Sequence, residues 1–190
     1  MLVAALAVLV VHSALAQASP SDSAAVPVRT VSDRAAPLSF STDRLLIPVE
    51  GVAPGDFTDT YAARRSGGRT HNALDILAPR GTPALAVADG EVVRITRNRL
   101  GGNVLYLRSP DGAYDFYYAH LDGYADGLAV GQTVRQGDVL GYVGNTGNAS
   151  RTAPHLHFQM LRLDARGRGT PVNPYRLLVD SALIPRGVRG

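Results

Sequence analysis

Two of the five histidines in this 190-residue sequence, His155 and His157, flank a single leucine in the stretch APHLHFQ. On a strand, alternate side chains project to opposite faces, so His155, His157 and Gln159 share one face while Leu156, Phe158 and Met160 share the other. One polar residue on the wet face of a half-buried strand is ordinary. Two imidazoles at strand spacing, about 6.6 Å apart along the chain direction, are different. Both can reach one ion, or one can ligate while the other reaches an ion-bound water. The remaining histidines outside the apolar N-terminus sit in equally suggestive contexts. THNALDI puts His71 four residues before Asp75, and YYAHLDG ends a strand-like run with His120 just ahead of a turn.

Zinc hydrolysis needs about this inventory. A catalytic zinc takes three imidazole or carboxylate ligands and leaves a fourth position to water, whose pKa falls from about 15.7 to about 7. Two imidazoles and one carboxylate leave the site with a net positive charge and keep the metal a strong Lewis acid. Histidines that do not ligate can take the proton or stabilise the developing oxyanion. Such a division uses every histidine except His12, but spacing alone leaves open which three groups bind. His71 and Asp75 fit one helical turn, or a strand end followed by a bend; DILAPRGTP reads as extended, which favours the second. Tyr117 and Tyr118 read as packing residues, because a phenol with a pKa of about 10 is a poor base at neutral pH. Arg64, Arg65 and Arg69 read as solvated loop charges.

The elements that position these groups read as strands. Runs rich in Val, Leu, Ile and Tyr alternate with glycine-bearing turns from about Phe40 onward. Asp89-Gly90 and Asp111-Gly112 are hairpin signals, since glycine accepts the positive φ that tight turns require. NPYRLLVDSAL is the exception, with Asn173 as cap and Pro174 opening a short C-terminal helix. A compact, mostly antiparallel β domain is therefore expected over residues 41–185, with 186–190 as a tail and no fixed-period repeat. Ahead of it, residues 1–16 (MLVAALAVLVVHSALA) are apolar but too short for a bilayer span of about 20 residues. They end in an A-x-A pattern at Ala14 and Ala16, as a cleaved signal peptide does. Residues 17–40, rich in Ala, Ser, Pro and Asp, read as a disordered linker. After cleavage no stable membrane span is expected, and the chain is expected to be exported to a bacterial periplasm or secreted.

Cysteine is absent, which excludes disulfides, a lipidated-cysteine anchor, cysteine-protease chemistry and zinc fingers. Apolar residues make up 45% of the chain, as in an ordinary globular protein. The formal charge of +3 comes entirely from scattered arginines, with no lysine and no basic run. That balance suits an anionic polymer such as a cell wall and does not point to nucleic acid.

In order along the chain, RTHNALDILAPRGTPALAVADGEVV, YYAHL, GQTVRQGDVLGYVGNTG and HLHFQ resemble the lysostaphin/LytM-type zinc metallopeptidases of peptidase family M23, over about Asp59 to Pro174. H-x-x-x-D or H-x-H alone would be weak; the ordered combination is specific. The resemblance implies an open, barrel-like antiparallel β sandwich with a substrate groove, and one Zn2+ per chain held by His71, Asp75 and His157. It implies His120 and His155 as the catalytic, non-ligand pair, and peptide stems of peptidoglycan as the substrate. Two departures stand out. Ala73 replaces the glycine of the family's H-x-G-x-D, which a methyl group permits if the backbone there stays out of the left-handed region. Gln159 stands where glutamate is common, and an amide would orient a ligand more weakly. GNTGNAS lacks the P-loop lysine and reads as a flexible rim of the groove. Two other functions compete with this reading. A non-catalytic wall-binding or amidase-activating LytM-like module would usually lack some ligands, and none is missing here. A lipoyl- or biotinyl-carrier hammerhead needs an attachment lysine, which the chain does not have.

Overall fold

The computed structural model describes residues 38–182. The expected signal segment, all of the expected linker up to residue 37, residues 183–185 and the tail lie outside the described residues. Those described form β1 Leu74–Leu77, β2 Pro83–Leu85, β3 Gly90–Asn98, β4 Gly102–Arg108, β5 Tyr114–Leu121, β6 Gly123–Tyr124, β7 Thr133–Val134, β8 Val139–Tyr142, β9 His155–Leu163, β10 Gly169–Val172 and one helix, α1 Tyr175–Ala182. Every strand pairing among them is antiparallel. The main sheet runs β1-β9-β5-β4-β3-β7, with β10 continuing the β1 edge of β9, and β2-β8-β6 form a smaller sheet. The result is the mostly β, half-barrel antiparallel fold that the sequence implies, closed by a single short helix.

Alternation along β9 sets the core. Leu156, Phe158 and Met160 are sealed, while the residues between them stay partly open. Phe158 stacks on Phe116 with ring centroids 6.3 Å apart and meets the Tyr118 ring edge-on at 5.3 Å. Burying such a side chain contributes about 1.5–3 kcal/mol. Leu45, Ile47 and Val49, which precede β1, join the same core, and Phe40 lies against Tyr114 and Phe116. On the far side of β4 and β5, Val104, Tyr117 and Ala119 form a second, smaller cluster.

Of the two Asp-Gly signals, one behaves as read. Gly112, at φ 70°, turns β4 into β5 with its N–H on the Ser109 carbonyl. Asp89-Gly90 makes no hairpin: it carries the chain from β2 in the small sheet to β3 in the large one. Gly90 is needed for space, because a Cβ there would lie 2.4 Å from the Arg108 carbonyl oxygen. Asp89 instead accepts hydrogen bonds from Ser39, Arg135 and Gln136, tying three separate stretches together. The helix begins one residue later than expected: Pro174 occupies the cap position, its carbonyl taking the Leu178 N–H, and Asn173 Oδ1 accepts the Tyr175 N–H just ahead of α1. Among the described residues no helix is long and apolar enough to cross a membrane.

Candidate metal centre and its flanking histidines

Strand register does most of the assembly. β9 lies between β1 and β5, and His157 is directly opposite both Asp75 on β1 and Ala119 on β5. One step along, His155 pairs with Leu77. Asp75 and His157 thus meet as a cross-strand pair across the sheet edge. His71 arrives from the loop before β1, so Asp75 is extended as expected, but the bend precedes the strand instead of following it. The bend between them is Asn72, at φ 56°, a left-handed conformation that asparagine tolerates better than most residues. Ala73 is fully buried and is not among the residues with positive φ, so its methyl group fits where the family pattern has glycine.

Three ligand-type atoms converge. His71 Nε2 lies 3.0 Å from Asp75 Oδ1 and 3.0 Å from His157 Nδ1, and His157 Nδ1 lies 3.2 Å from Asp75 Oδ1. The tautomer of His71 is set from outside: its Nδ1–H donates to the Thr60 carbonyl at 2.9 Å, which leaves a lone pair on Nε2. A carboxylate oxygen and two imidazole nitrogens so close are short of protons, since a neutral set offers at most one, on His157 Nδ1. A cation satisfies all three at once. The edges of a tetrahedral zinc site with bonds of about 2.0–2.1 Å are roughly 3.4 Å, close to the triangle observed, and the donor set is of the two-imidazole, one-carboxylate type that zinc takes in catalytic sites. The residues present fit such an ion. Burial pushes the Asp75 carboxyl up, but its neighbours His157, His71 and Arg65 together outweigh it and hold the group far below the usual carboxylate range. Burial also lowers His157, against the pull of Asp75, which favours the neutral imidazole that a metal needs.

The other two histidines stand beside this triangle. His120 and His155 rings lie 5.0 Å apart, His120 and His157 rings 5.5 Å apart, and His155 Nε2 is 3.7 Å from Asp75 Oδ1. Simple alternation along β5 would turn His120 into the core with Phe116 and Tyr118. It escapes because its backbone is left-handed, φ 62°, where the β4–β5 register shifts. That conformation is costly for a histidine, and such strain is found where a bulge re-aims a functional side chain. Both rings are anchored alike: His120 Nδ1–H donates to the Thr146 carbonyl at 2.8 Å and His155 Nδ1–H to the Ala153 carbonyl at 2.9 Å. Each therefore presents an Nε2 lone pair. Burial lowers His120 to about 4, so it is neutral at physiological pH.

Several supporting residues escaped the sequence reading. Thr60 holds two of the three converging groups, through its carbonyl on His71 and its Oγ1, which accepts the Asp75 N–H at 2.9 Å. No local spacing signals a residue that acts through its carbonyl. Thr146 does the same for His120, and its stretch is packed: a Cβ on Gly147 would lie 2.3 Å from the backbone of Gly102. GNTGNAS is thus a buttress in its first half, and only further along, at Ser150, does it reach the groove. Arg65, read as a solvated loop charge, instead binds Asp75 Oδ2. Gln159 touches no ligand; its amide donates to the Asn72 carbonyl at 3.1 Å and so steadies the left-handed bend next to His71. A groove of about 380 Å³ runs along the site, with Thr58, Thr60, Asp75, Leu77, Ser150 and His155 on its walls.

A histidine–carboxylate centre flanked by two further histidines on a curled β sheet is the arrangement of a metallopeptidase domain. The profile of peptidase family M23 matches residues 69–174, and the chain belongs to that family. DD-carboxypeptidase/endopeptidase Mpg of Neisseria meningitidis is 40% identical over 106 residues, which are 56% of this chain and 22% of that protein. The L-Ala–D-Glu endopeptidase of Bacillus subtilis is 38% identical over 110 residues, 55% of this chain and 33% of its own length. The chain thus spans a third or less of these curated relatives. Among solved structures, the catalytic domain of lysostaphin from Staphylococcus simulans superposes with a TM-score of 0.56 at 30% identity, covering 66% of this chain and 94% of that one.

Proposed function

We propose that this protein is a zinc-dependent endopeptidase that hydrolyses peptide cross-links of bacterial peptidoglycan, acting outside the cytoplasm in a periplasm or as a secreted enzyme. The observation that carries this reading is the convergence of His71, Asp75 and His157 on one point, with Asp75 on the groove wall and the rings of His120 and His155 beside them. The names of relatives support this class of substrate: one is a peptidoglycan DD-endopeptidase, one an L-Ala–D-Glu endopeptidase and one a glycyl-glycine endopeptidase. The intact set of candidate ligands argues against a non-catalytic wall-binding or amidase-activating module.

His71, Asp75 and His157 would hold the zinc, one per chain. When bound, the ion supplies Lewis-acid polarisation of the scissile carbonyl and brings the pKa of water down to about 7. The chain's own residues do the rest. His120, kept neutral by burial, and His155 each turn the ring edge away from Nδ1 toward the site, where Nε2 can accept a proton from the attacking water. The imidazole that accepts it becomes an Nε2–H donor, able to hydrogen-bond the tetrahedral oxyanion and then return the proton to the leaving amine. The Thr146 and Ala153 carbonyls keep these rings from turning by accepting the Nδ1–H of His120 and His155.

Metal analysis of the purified protein, joined to digestion of isolated peptidoglycan with mass spectrometry of the fragments, tests the proposal. The wild-type protein is expected to hold about one zinc per chain and to release muropeptides. His157→Ala should lose metal and activity together, whereas His120→Ala should keep the metal and lose turnover. Full turnover in His120→Ala would sink the role given to that histidine, and metal-free wild-type activity would sink the role of zinc.

A further inference from the structure

The two oxygens of Asp75 have been given separate neighbours. Oδ1 faces His71 and His157 in the triangle, and Oδ2 is held by the Arg65 guanidinium. Four other arginine–aspartate pairs, Arg80–Asp122, Arg108–Asp115, Arg135–Asp89 and Arg168–Asp164, engage carboxylates that meet no histidine among the described residues. Arg65 alone among these arginines reaches a carboxylate that is also a candidate ligand. Its placement is built in. Residues 61–65 run antiparallel to 69–72: Arg65 donates its N–H to the Arg69 carbonyl at 2.8 Å, His71 to Ala63 at 2.9 Å and Asn72 to Tyr61 at 2.8 Å. The ribbon is closed by a turn with Gly67 at φ 74°. Arg65 and His71 therefore ride on one ribbon and approach Asp75 together.

We infer that Arg65 is a positioning residue for the metal centre: by occupying Asp75 Oδ2 it confines that carboxylate to one-oxygen ligation through Oδ1. The inference rests on the metal-centre reading proposed above. A carboxylate free to turn can grip an ion with both oxygens, which adds a donor and fills the position a catalytic site keeps open for water or substrate. A guanidinium on the outer oxygen prevents this, and its planar N–H groups suit the task better than a point charge. Fold stability does not require the pair. The Arg65 side chain is 40% exposed, and exposed ion pairs contribute only about 0–1 kcal/mol.

Cobalt(II) replacing zinc reports coordination number directly, because four-coordinate cobalt absorbs visible light several times more strongly than five- or six-coordinate cobalt. The full chain is loaded with Co2+ as wild type, Arg65→Met and Arg65→Lys. Wild type should show the intense four-coordinate band. Arg65→Met should lose more than half of that intensity, with a fall in kcat and little change in KM. Arg65→Lys, whose side chain is nearly as long and still carries N–H donors toward Oδ2, should recover part of both. An Arg65→Met spectrum identical to wild type, or an equal loss in the two variants, overturns the assignment to Arg65. A wild-type chain that shows no cobalt band overturns the metal-centre reading itself, and is told apart by the absence of any d–d absorption.

Discussion

The two faces of β9 are made from the same nine residues and follow opposite rules. On one face, Leu156, Phe158 and Met160 are sealed against Phe116, Tyr118 and the rest of the core, and what holds them is area and shape. On the other, each polar side chain ends on named polar partners: His155 on the Ala153 carbonyl, His157 on Asp75 and His71, and Gln159 on the Asn72 carbonyl. The first face tolerates any arrangement that fills the space. The second depends on direction, and its partners come from β1 and from the loops before β1 and β9. Stability should therefore be concentrated on the apolar face and function on the polar one, although the residues alternate one by one.

The sharpest way to break that contrast is to truncate neighbours on the same strand. Phe158→Ala leaves a cavity among stacked rings and should lose about 3–5 kcal/mol of unfolding free energy, read from denaturant titration. His155→Ala removes one partly exposed hydrogen bond and should cost about 1 kcal/mol or less, while peptidoglycan digestion falls to background. A stability loss in His155→Ala equal to that in Phe158→Ala would show that the polar face carries the fold as well.

A smaller effect separates the faces by pH. Burial depresses His120 from 6.5 to about 4 in the folded chain. Between those values the unfolded chain takes up a proton that the folded chain refuses, so the metal-free protein loses stability as pH falls through this window, by an amount on the order of 3 kcal/mol. His157, also depressed, adds a slope of the same sign. Asp75, held low, adds its own loss only further down, below the ordinary carboxylate range. His120→Ala should flatten the slope between about pH 6.5 and 4 without removing it, whereas Phe158→Ala should lower the whole curve and leave the slope alone.

How far the sequence was legible follows the same division. Alternation reads a strand face directly, so the β class, the core side of β9, the C-terminal helix and the Asp111-Gly112 hairpin could all be taken from local pattern. Ligand-type residues were visible because histidine is scarce here and its spacing is tied to the strand period. What local pattern does not encode is a residue acting across the fold through its backbone or through a second partner. Thr60 and Thr146 serve through carbonyls, Arg65 through a carboxylate ten residues on, and Gly90 through the space it leaves for Arg108. His120 is the instructive case, since its residue type announced a role while alternation on β5 would have buried it. The left-handed kink that brings it beside His155 has no signature in the sequence.

The smallest expected effect tests the outermost member of the polar face. Gln159 donates from Nε2 to the Asn72 carbonyl, and that contact steadies a left-handed residue adjoining His71. Gln159→Glu keeps size and shape but at neutral pH replaces the donor with a carboxylate oxygen facing a carbonyl. The lost hydrogen bond should cost about 0.5–1.5 kcal/mol. Below the glutamate pKa of about 4.3, the protonated carboxyl can donate again, so the difference from wild type should shrink as the solution is acidified and be full at neutral pH. Matched denaturant titrations at the two pH values measure it. A deficit that is the same at both would mean that the amide acts through packing, and that the contrast between the two faces of β9 ends at His157.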